Sequence, residues 1–338
     1  MKIYKNIPVV ILNLFQDLKR PVLAYCFFLL PFALISISCE KEIKLKVSAP
    51  SNAYVVEGHI ENGLPPYVLL TKNSGFFGNI NINDISSYFI SGAAITVITD
   101  DDSVHLQEYN SAFVQSLPDS VAIALAAQFG ITITSASEFP AVSIYTVSPA
   151  DIDFVGKIGK RYDLRIEVDG KKITSTTTIP EPVYFDSLWL LPHPNPALAD
   201  SFFQVYGRLQ DPPAPGNFYR YFTKADNEPF LISDQSVFDD AFINGKKFQI
   251  FIPKGHPVGF TASQDFTRSG YWDVRDSVCT IKLCMIDKAH YDFWRTLEAN
   301  RNGQGNPFGS VVYVKSNVVG ALGVWGGYGS ITGSFRRI

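Results

Sequence analysis

Apolar and polar residues alternate in short runs along the chain, which is typical of β-strands whose two faces have different surroundings. The clearest run is RYDLRIEVDGKKITSTTTI at 161–179, where Leu164 and Ile166 fall on the same face of the first strand. Asp169 and Gly170 interrupt this run, and Asp-Gly is the preferred pair for a two-residue type I′ turn. The stretch therefore predicts a β-hairpin in a sheet that buries one face and leaves the other in water.

Similar strand patterns recur before and after this hairpin, and two segments break them. Strand-like runs occupy residues 53–60, 66–72, 93–100, 103–109, 202–209, 217–224, 246–253 and 277–286. The segment 117–130 instead has Pro, Asp and Ser where a helix begins and Gly where one ends, so we expect a short helix inserted in a sandwich loop. A second helix is predicted near 287–302, with Asp287 as its N-cap and Gly303 just beyond its C-terminus.

These patterns predict an all-β protein of two domains. Pro180 and Pro182 cannot donate to a sheet ladder, so they mark the end of the first domain. We expect an immunoglobulin-like β-sandwich at 46–182 and a second β-sandwich or barrel at 183–338 that carries the helix near 287–302. Hydrophobic residues make up 46% of the chain and charged residues 18%, which is enough apolar material for a sizeable core.

The N-terminal pattern is different, because residues 21–38 carry no charge and follow a stretch with four basic residues. A membrane-spanning helix would need about 20 apolar residues, and this run is slightly short, with Pro31 in its middle. Ser36 and Ser38 stand just before Cys39, as small residues do at a signal-peptide cleavage site. We therefore predict a signal peptide at 1–38.

Cys39 follows that cleavage site directly, and this layout resembles the lipobox of bacterial lipoproteins, with Ser36 where Leu is usual. The resemblance implies that Cys39 is acylated and that residues 39–45 form a lipidated tether. A buried cysteine after an ordinary signal is the alternative. The acidic residues and lysines of CEKEIKLK also resemble a surface-export signal of Bacteroidota lipoproteins, although a plain solvated linker fits them equally well.

Five longer stretches, in this order and spacing, resemble a known family. They are YVVEGHIENGLPPYVLLTKNSGFF, GKRYDLRIEVDGKKITSTTTIPEPVYFDSL, LQDPPAPGNFYRYF, FDDAFINGKKFQIFIPKG and DKAHYDFWRTLEANRNGQGNPFGSVVYVKSNVVGALGVWGGYG. Together they resemble Bacteroidota outer-membrane lipoproteins described as domain of unknown function 4249. The resemblance implies an outer-membrane, lipid-anchored protein, facing the periplasm or the cell surface, beside a TonB-dependent transporter. It implies no catalytic residues and no cofactor.

Candidate catalytic and metal-binding patterns are weak. The histidines His59, His105, His193, His256 and His290 do not pair at metal-site spacings, and His59 lies in an alternating strand where a satisfied histidine is the commoner role. GxSxG is absent, the acidic turn TDDDS lacks a calcium-loop pattern, and the Asp pair in FDD at 238–240 fits an exposed turn better than a catalytic pair. Cys279 and Cys284 would be about 16 Å apart on a strand, so we predict two separate buried thiols.

Aromatic residues near glycines are the remaining candidates for ligand or partner contact. Phe76 and Phe77 lie in SGFFGN, and Trp325 and Tyr328 lie in the glycine-rich stretch 320–330. Core packing is the commoner role of such residues, and the glycines favour close approach of another backbone.

Three function classes therefore stay open. The leading hypothesis is a non-enzymatic protein that captures a ligand for a TonB-dependent transporter. The alternatives are an envelope hydrolase of glycans or peptides and a structural or adhesive surface module. The net charge of −3 and the lack of a basic segment argue against a nucleic-acid partner, and we expect no metal or other cofactor.

Overall fold

The computed structural model describes residues 54–72, 87–128, 131, 133–257, 270–303 and 312–336. The predictions for Cys39, Phe76 and Phe77 lie outside these described residues. Within them the protein is mostly β, as the sequence predicts, and its strands form two sheets that pack in a sandwich-like arrangement.

Among the residues that the structure describes, twelve strands follow one another in the larger sheet, and the smaller sheet has four. In chain order the strands are β1 Tyr54–Glu61, β2 Tyr67–Lys72, β3 Ala94–Ile98, β4 Ser103–Asn110, β5 Ser143–Thr146, β6 Arg161–Val168, β7 Lys171–Thr178, β8 Phe185–Pro192, β9 Phe202–Gln210, β10 Phe218–Ala225, β11 Val237–Asp239, β12 Lys247–Phe251, β13 Trp272–Asp273, β14 Val278–Ile286, β15 Val318–Val319 and β16 Leu322–Arg336. The larger sheet has the order β11-β10-β14-β16-β1-β2-β5-β4-β3-β6-β7-β15, and β9 is paired with β8, β12 and β13 in the smaller one.

The predicted β6–β7 hairpin forms with its expected turn. Asp169 and Gly170 have φ angles of 49° and 72°, and Val168 pairs with Lys171, which gives the two-residue loop. Leu164, Ile166 and Val168 are buried, as their alternation predicts. The face that they form packs into the first of two large cores.

In the described residues, three α-helices accompany the sheets: α1 Ser111–Gln115, α2 Asp119–Gln128 and α3 Lys288–Gly303. The sequence predicts α2 and α3 and misses α1, which begins where the Asn110 side chain accepts a hydrogen bond from the Phe113 amide. Asp287 caps α3 as expected, because its carboxylate accepts from the His290 amide at 2.9 Å.

Two buried clusters form the main cores, one in each half of the chain. The first joins β1–β7 around Leu164 and Trp325, and the second lies between the smaller sheet and the β10–β14 region around Trp272. Cys279 and Cys284 are both buried and form no disulfide, which confirms the prediction of two separate buried thiols, and burial raises the pKa of Cys284 to about 12.

The last strand, β16, connects these two halves. Its first half, from Leu322 to Tyr328, pairs in parallel with β1, and its second half, from Gly329 to Arg336, pairs antiparallel with β14. The described residues between Tyr54 and Arg336 thus belong to a single compact unit, and the larger sheet runs without interruption past the proline-rich segment near residue 182.

None of the helices in the described residues is long and apolar enough to cross a membrane.

Candidate functional site

A cavity of about 500 Å³ opens on the face of the larger sheet that points away from the first core. It is bordered by strands from both halves of the chain and by the loops that follow β1 and β10. Its lining residues are His59, Glu61, Leu64, Pro65, Tyr67, Thr146, Ile152, Phe222, Pro229, Phe230, Lys282 and Tyr328. We call it the His59 cavity.

Strand alternation places His59 and Glu61 in this cavity. Val56 and Ile60, on the other face of β1, are fully buried in the first core, so the odd-numbered residues point the opposite way. The register of β1 then aligns His59 with Tyr67 of β2 on one side and with Gly326 of β16 on the other. The absence of a side chain at Gly326 leaves room for the His290 ring of α3, which a Cβ there would meet at 2.1 Å.

Three rings form the floor of the cavity. The His59 ring lies between Tyr67, with a centroid distance of 4.2 Å, and Tyr328, with a centroid distance of 5.0 Å, and both contacts are edge-on. Burial and the nearby charges of Lys282 and Arg220 lower the pKa of His59 to about 3. The imidazole is therefore neutral at physiological pH and offers one N–H donor and one acceptor nitrogen.

Nothing in the described part of the chain uses those two nitrogens, because His59 has ring contacts there but no hydrogen bond. The ring is only partly buried, and it lines the cavity. His59 is therefore a polar group held in a defined orientation and available to a bound molecule.

An ion pair stands beside His59. Lys282 Nζ on β14 lies 2.9 Å from Glu61 Oε2, and Ser330 Oγ on β16 donates to Glu61 Oε1 at 2.6 Å. The ammonium also lies 4.9 Å from the ring centroid of Phe222 and 5.1 Å from that of Phe230. These contacts hold Lys282 at the cavity wall, where two of its three N–H groups remain for other partners.

A buried arginine supports the floor from behind. Arg220 donates to the Tyr328 hydroxyl and to Ser236 Oγ, and its guanidinium lies 3.5 Å from the ring centroid of Trp294 on α3. Glu298 of the same helix accepts from the Ser236 amide at 3.1 Å. The network fixes the position of Tyr328, because its oxygen accepts from a side chain that is itself held by α3.

The two aromatic candidates from the glycine-rich stretch, Trp325 and Tyr328, lie in different surroundings. Tyr328 lines the His59 cavity, and burial raises its pKa. Trp325 lies in the first core, fully buried, and its indole N–H donates to the Tyr162 carbonyl at 3.0 Å. The glycines around them permit close backbone approach, as expected, since a Cβ on Gly323 would lie 1.8 Å from the Val56 carbonyl oxygen.

The acidic side chains that the sequence offered as candidates form hydrogen bonds or ion pairs with other parts of the protein. Asp239 accepts from the Tyr291 hydroxyl at 2.9 Å, and Asp240 accepts from the Gly216 and Asn217 amides. In the TDDDS turn, Asp101 pairs with Lys160 at 2.6 Å. The part of the chain that the structure describes contains no group of three or more His, Cys, Asp or Glu residues that could hold a metal ion.

A second cavity of about 390 Å³ lies near Tyr221 and His256. Its polar side chains already bond to one another: Tyr221 to Ser233 at 2.6 Å, and His256 to Asp234 at 3.0 Å. The His59 cavity is the better candidate, because it combines exposed apolar side chains at its rim with polar groups that still have hydrogen-bonding capacity.

Sequence reasoning finds Tyr328 and misses the other members of this site. His59 and Glu61 stand at alternate positions of β1, which reads as an ordinary polar sheet face. Lys282 follows 221 residues after Glu61, and only the pairing of β16 with both β1 and β14 brings them together.

In a comparison with protein-family models, residues 40–333 match the family described as Domain of unknown function (DUF4249). A search of the curated proteins found no match to the chain. Because the matched range includes both cores and every residue that lines the His59 cavity, the chain belongs, over nearly its whole length, to the DUF4249 family.

Proposed function

We propose that this protein captures a small ligand in the His59 cavity and does so without chemical conversion. The observation that carries the proposal is a neutral, oriented histidine with no hydrogen-bond partner in the described residues, at the floor of a cavity of about 500 Å³. Small-molecule sites have volumes of about 300–1,000 Å³, mostly apolar walls and a few convergent polar groups. The cavity has each of these properties.

The arrangement of acids favours capture over hydrolysis. A glycosidase needs two carboxyl groups that face the bond to be cut. Glu61 is the one carboxylate among the lining residues, and both of its oxygens already accept hydrogen bonds from Lys282 and Ser330. Neither a second acid nor a nucleophile beside a free base is found among the described lining residues.

We further propose that the protein is anchored to the outer membrane by acylated Cys39 and passes its ligand to a TonB-dependent transporter. The uncharged run before Cys39 and the hydrophilic tether after it support this anchor. The family match also begins at residue 40, directly after the cysteine. Two or more acyl chains give stable membrane attachment, whereas a single chain gives only marginal binding.

Ligand capture is tested by blocking the cavity mouth. Ile152 lines the cavity and is 47% exposed, so an Ile152→Trp side chain is expected to fill the entrance without disturbing the core. Ile158 is 40% exposed, also lies in a turn and does not line the cavity, which makes Ile158→Trp the matched control.

Each protein is purified natively from membranes, and the small molecules released on denaturation are quantified by mass spectrometry. We expect wild type and Ile158→Trp to release the same compound, and Ile152→Trp to release at least tenfold less. Equal release from all three proteins would contradict capture in this cavity.

The anchor and the partner need separate tests. Cys39→Ala is expected to abolish labelled-palmitate incorporation and to move the protein out of the membrane fraction. A pull-down of the lipid-anchored wild type from outer membranes is expected to recover a TonB-dependent transporter, and protease treatment of intact cells reports which face of the membrane the protein occupies. Unchanged membrane retention of Cys39→Ala would refute the anchor, and failure to recover a transporter would refute the partner.

A further inference from the structure

We infer that the ligand of the His59 cavity is a neutral saccharide, an inference that rests on the proposed capture function. The charge balance of the cavity, its hydrogen-bonding groups and its apolar rim each support this class.

The charged groups of the cavity discriminate against ions of either sign. Lys282 and Glu61 neutralise each other at 2.9 Å, and both line the cavity. An anion that approaches Lys282 also meets the Glu61 carboxylate, and a cation that approaches Glu61 meets Lys282 with Arg220 behind it. Since Lys282 and Glu61 are already paired and His59 is uncharged, the residues that line the cavity carry no net charge for an ionic ligand to neutralise.

The remaining hydrogen-bonding groups include both donors and acceptors. His59 offers one of each, and Lys282 has two N–H groups beyond the one bonded to Glu61. Tyr328 accepts from Arg220, which leaves its own O–H to donate, and Thr146 donates to the Pro66 carbonyl, which leaves its oxygen to accept. A hydroxyl group both donates and accepts, so a ligand rich in hydroxyls satisfies such a mixed set.

The rim supplies apolar contact. Leu64, Ile152 and Phe230 are exposed large apolar residues, and all three line the same cavity. A pyranose ring has a C–H face that packs against such side chains while its hydroxyls point elsewhere. A purely apolar ligand would instead cover His59 and Lys282 without giving them partners, which is unfavourable for buried polar groups.

The inference is tested on the detergent-solubilised full chain with a glycan array, followed by calorimetry on three ligands that share one sugar ring and differ in a single neutral, acidic or basic substituent. These are a neutral saccharide found on the array, the matching uronic acid and the matching amino sugar, with palmitate as the apolar probe. We expect the neutral saccharide to bind at least tenfold more tightly than either charged form, and palmitate not to bind in the cavity.

Variants of the ion pair make the test specific. Glu61→Gln leaves Lys282 uncompensated and is expected to shift preference at least tenfold toward the uronic acid. Lys282→Met leaves Glu61 uncompensated and is expected to shift preference equally toward the amino sugar. The double variant removes both charges and is expected to prefer the neutral saccharide again. Melting curves show whether each variant is folded. If a single variant unfolds, the double variant still tests the inference.

Charged forms that bind as well as the neutral one would overturn the inference. So would an array on which no neutral saccharide binds. If no saccharide binds but wild-type protein purified from membranes still releases a small molecule on denaturation, only the proposed ligand class is wrong. If nothing is retained either, the capture function itself is wrong.

Discussion

The ammonium of Lys282 and the carboxylate of Glu61 form an ion pair that spans an intervening strand. Lys282 belongs to β14 and Glu61 to β1, and β16 lies between these strands in the sheet. Both side chains are largely buried, with exposures of 17% and 8%. The pair therefore closes the cavity wall at the point where the two halves of the chain meet.

Lys282→Met is expected to destabilise the fold by about 3–5 kcal/mol, because it leaves a buried carboxylate without its cation. The double variant Lys282→Met with Glu61→Gln should lose clearly less, since no uncompensated charge remains. Urea unfolding followed by circular dichroism gives these free energies.

Lys288→Met is the control for this comparison. Lys288 pairs with Asp292 at 2.7 Å on the surface of α3 and is 67% exposed, so its removal should cost less than about 1 kcal/mol. A loss from Lys282→Met no larger than this would mean that the Glu61 pair is not a buried interaction.

Gly326→Ala is expected to destabilise the protein by about 1–3 kcal/mol or more. An added Cβ would lie 2.1 Å from Cε1 of the His290 ring, so α3 would have to move away from the sheet. A Cβ on Gly303, at the end of α3, would meet no atom within 4 Å, so Gly303→Ala should be neutral or slightly stabilising. Thermal unfolding of both variants checks this prediction, and equal melting temperatures would show that helix and strand are not in tight contact.

Acidification is expected to destabilise the fold below pH 6.5. Burial is the larger cause, and nearby positive charges the smaller one, of a pKa of about 3 for His59 and of a pKa well below the usual value for His290. The unfolded chain therefore binds protons that the folded chain does not. Stability is fully present above pH 6.5 and falls by about 1.4 kcal/mol per pH unit per histidine as the pH drops toward these lowered values.

The contribution of His59 is obtained by comparing a His59 variant with wild type. The comparison is needed because burial also raises the pKa of Glu298, and a carboxyl group with a raised pKa stabilises the fold as the pH falls. Between pH 6.5 and 5 the unfolding free energy of His59→Gln should fall less steeply than that of wild type, by about 1.4 kcal/mol per pH unit. Identical slopes for the two proteins would contradict a His59 ring that stays neutral in the folded state.

The sequence predicts local elements well, because their causes are local. Leu164 and Ile166 alternate with polar residues, Asp169 and Gly170 supply the positive φ angles of the turn, and the hairpin follows from these positions alone. Asp287 predicts the start of α3 in the same way, through the hydrogen bond that it accepts from His290.

The cavity could not be predicted, because its cause is the topology of β16. A parallel pairing between β1 and the last strand leaves no trace in either local pattern. Without it, His59 looks like a surface residue, and nothing connects it with Lys282 or with Tyr328. Tyr328 is found by its aromatic character, whereas Trp325, chosen on the same basis, packs into the core three residues earlier in the same strand.

Histidine-selective NMR tests capture in the His59 cavity most directly. The ring ¹H–¹³C signals of the full-length protein in detergent are recorded with and without the small-molecule fraction of the envelope, and His59→Gln assigns the signal of interest. We predict that the His59 signal shifts in wild type and in Ile158→Trp but not in Ile152→Trp, while the signal of exposed His105 stays in place in all three. A His59 signal that does not move in wild type, or that moves equally in Ile152→Trp, would contradict the account.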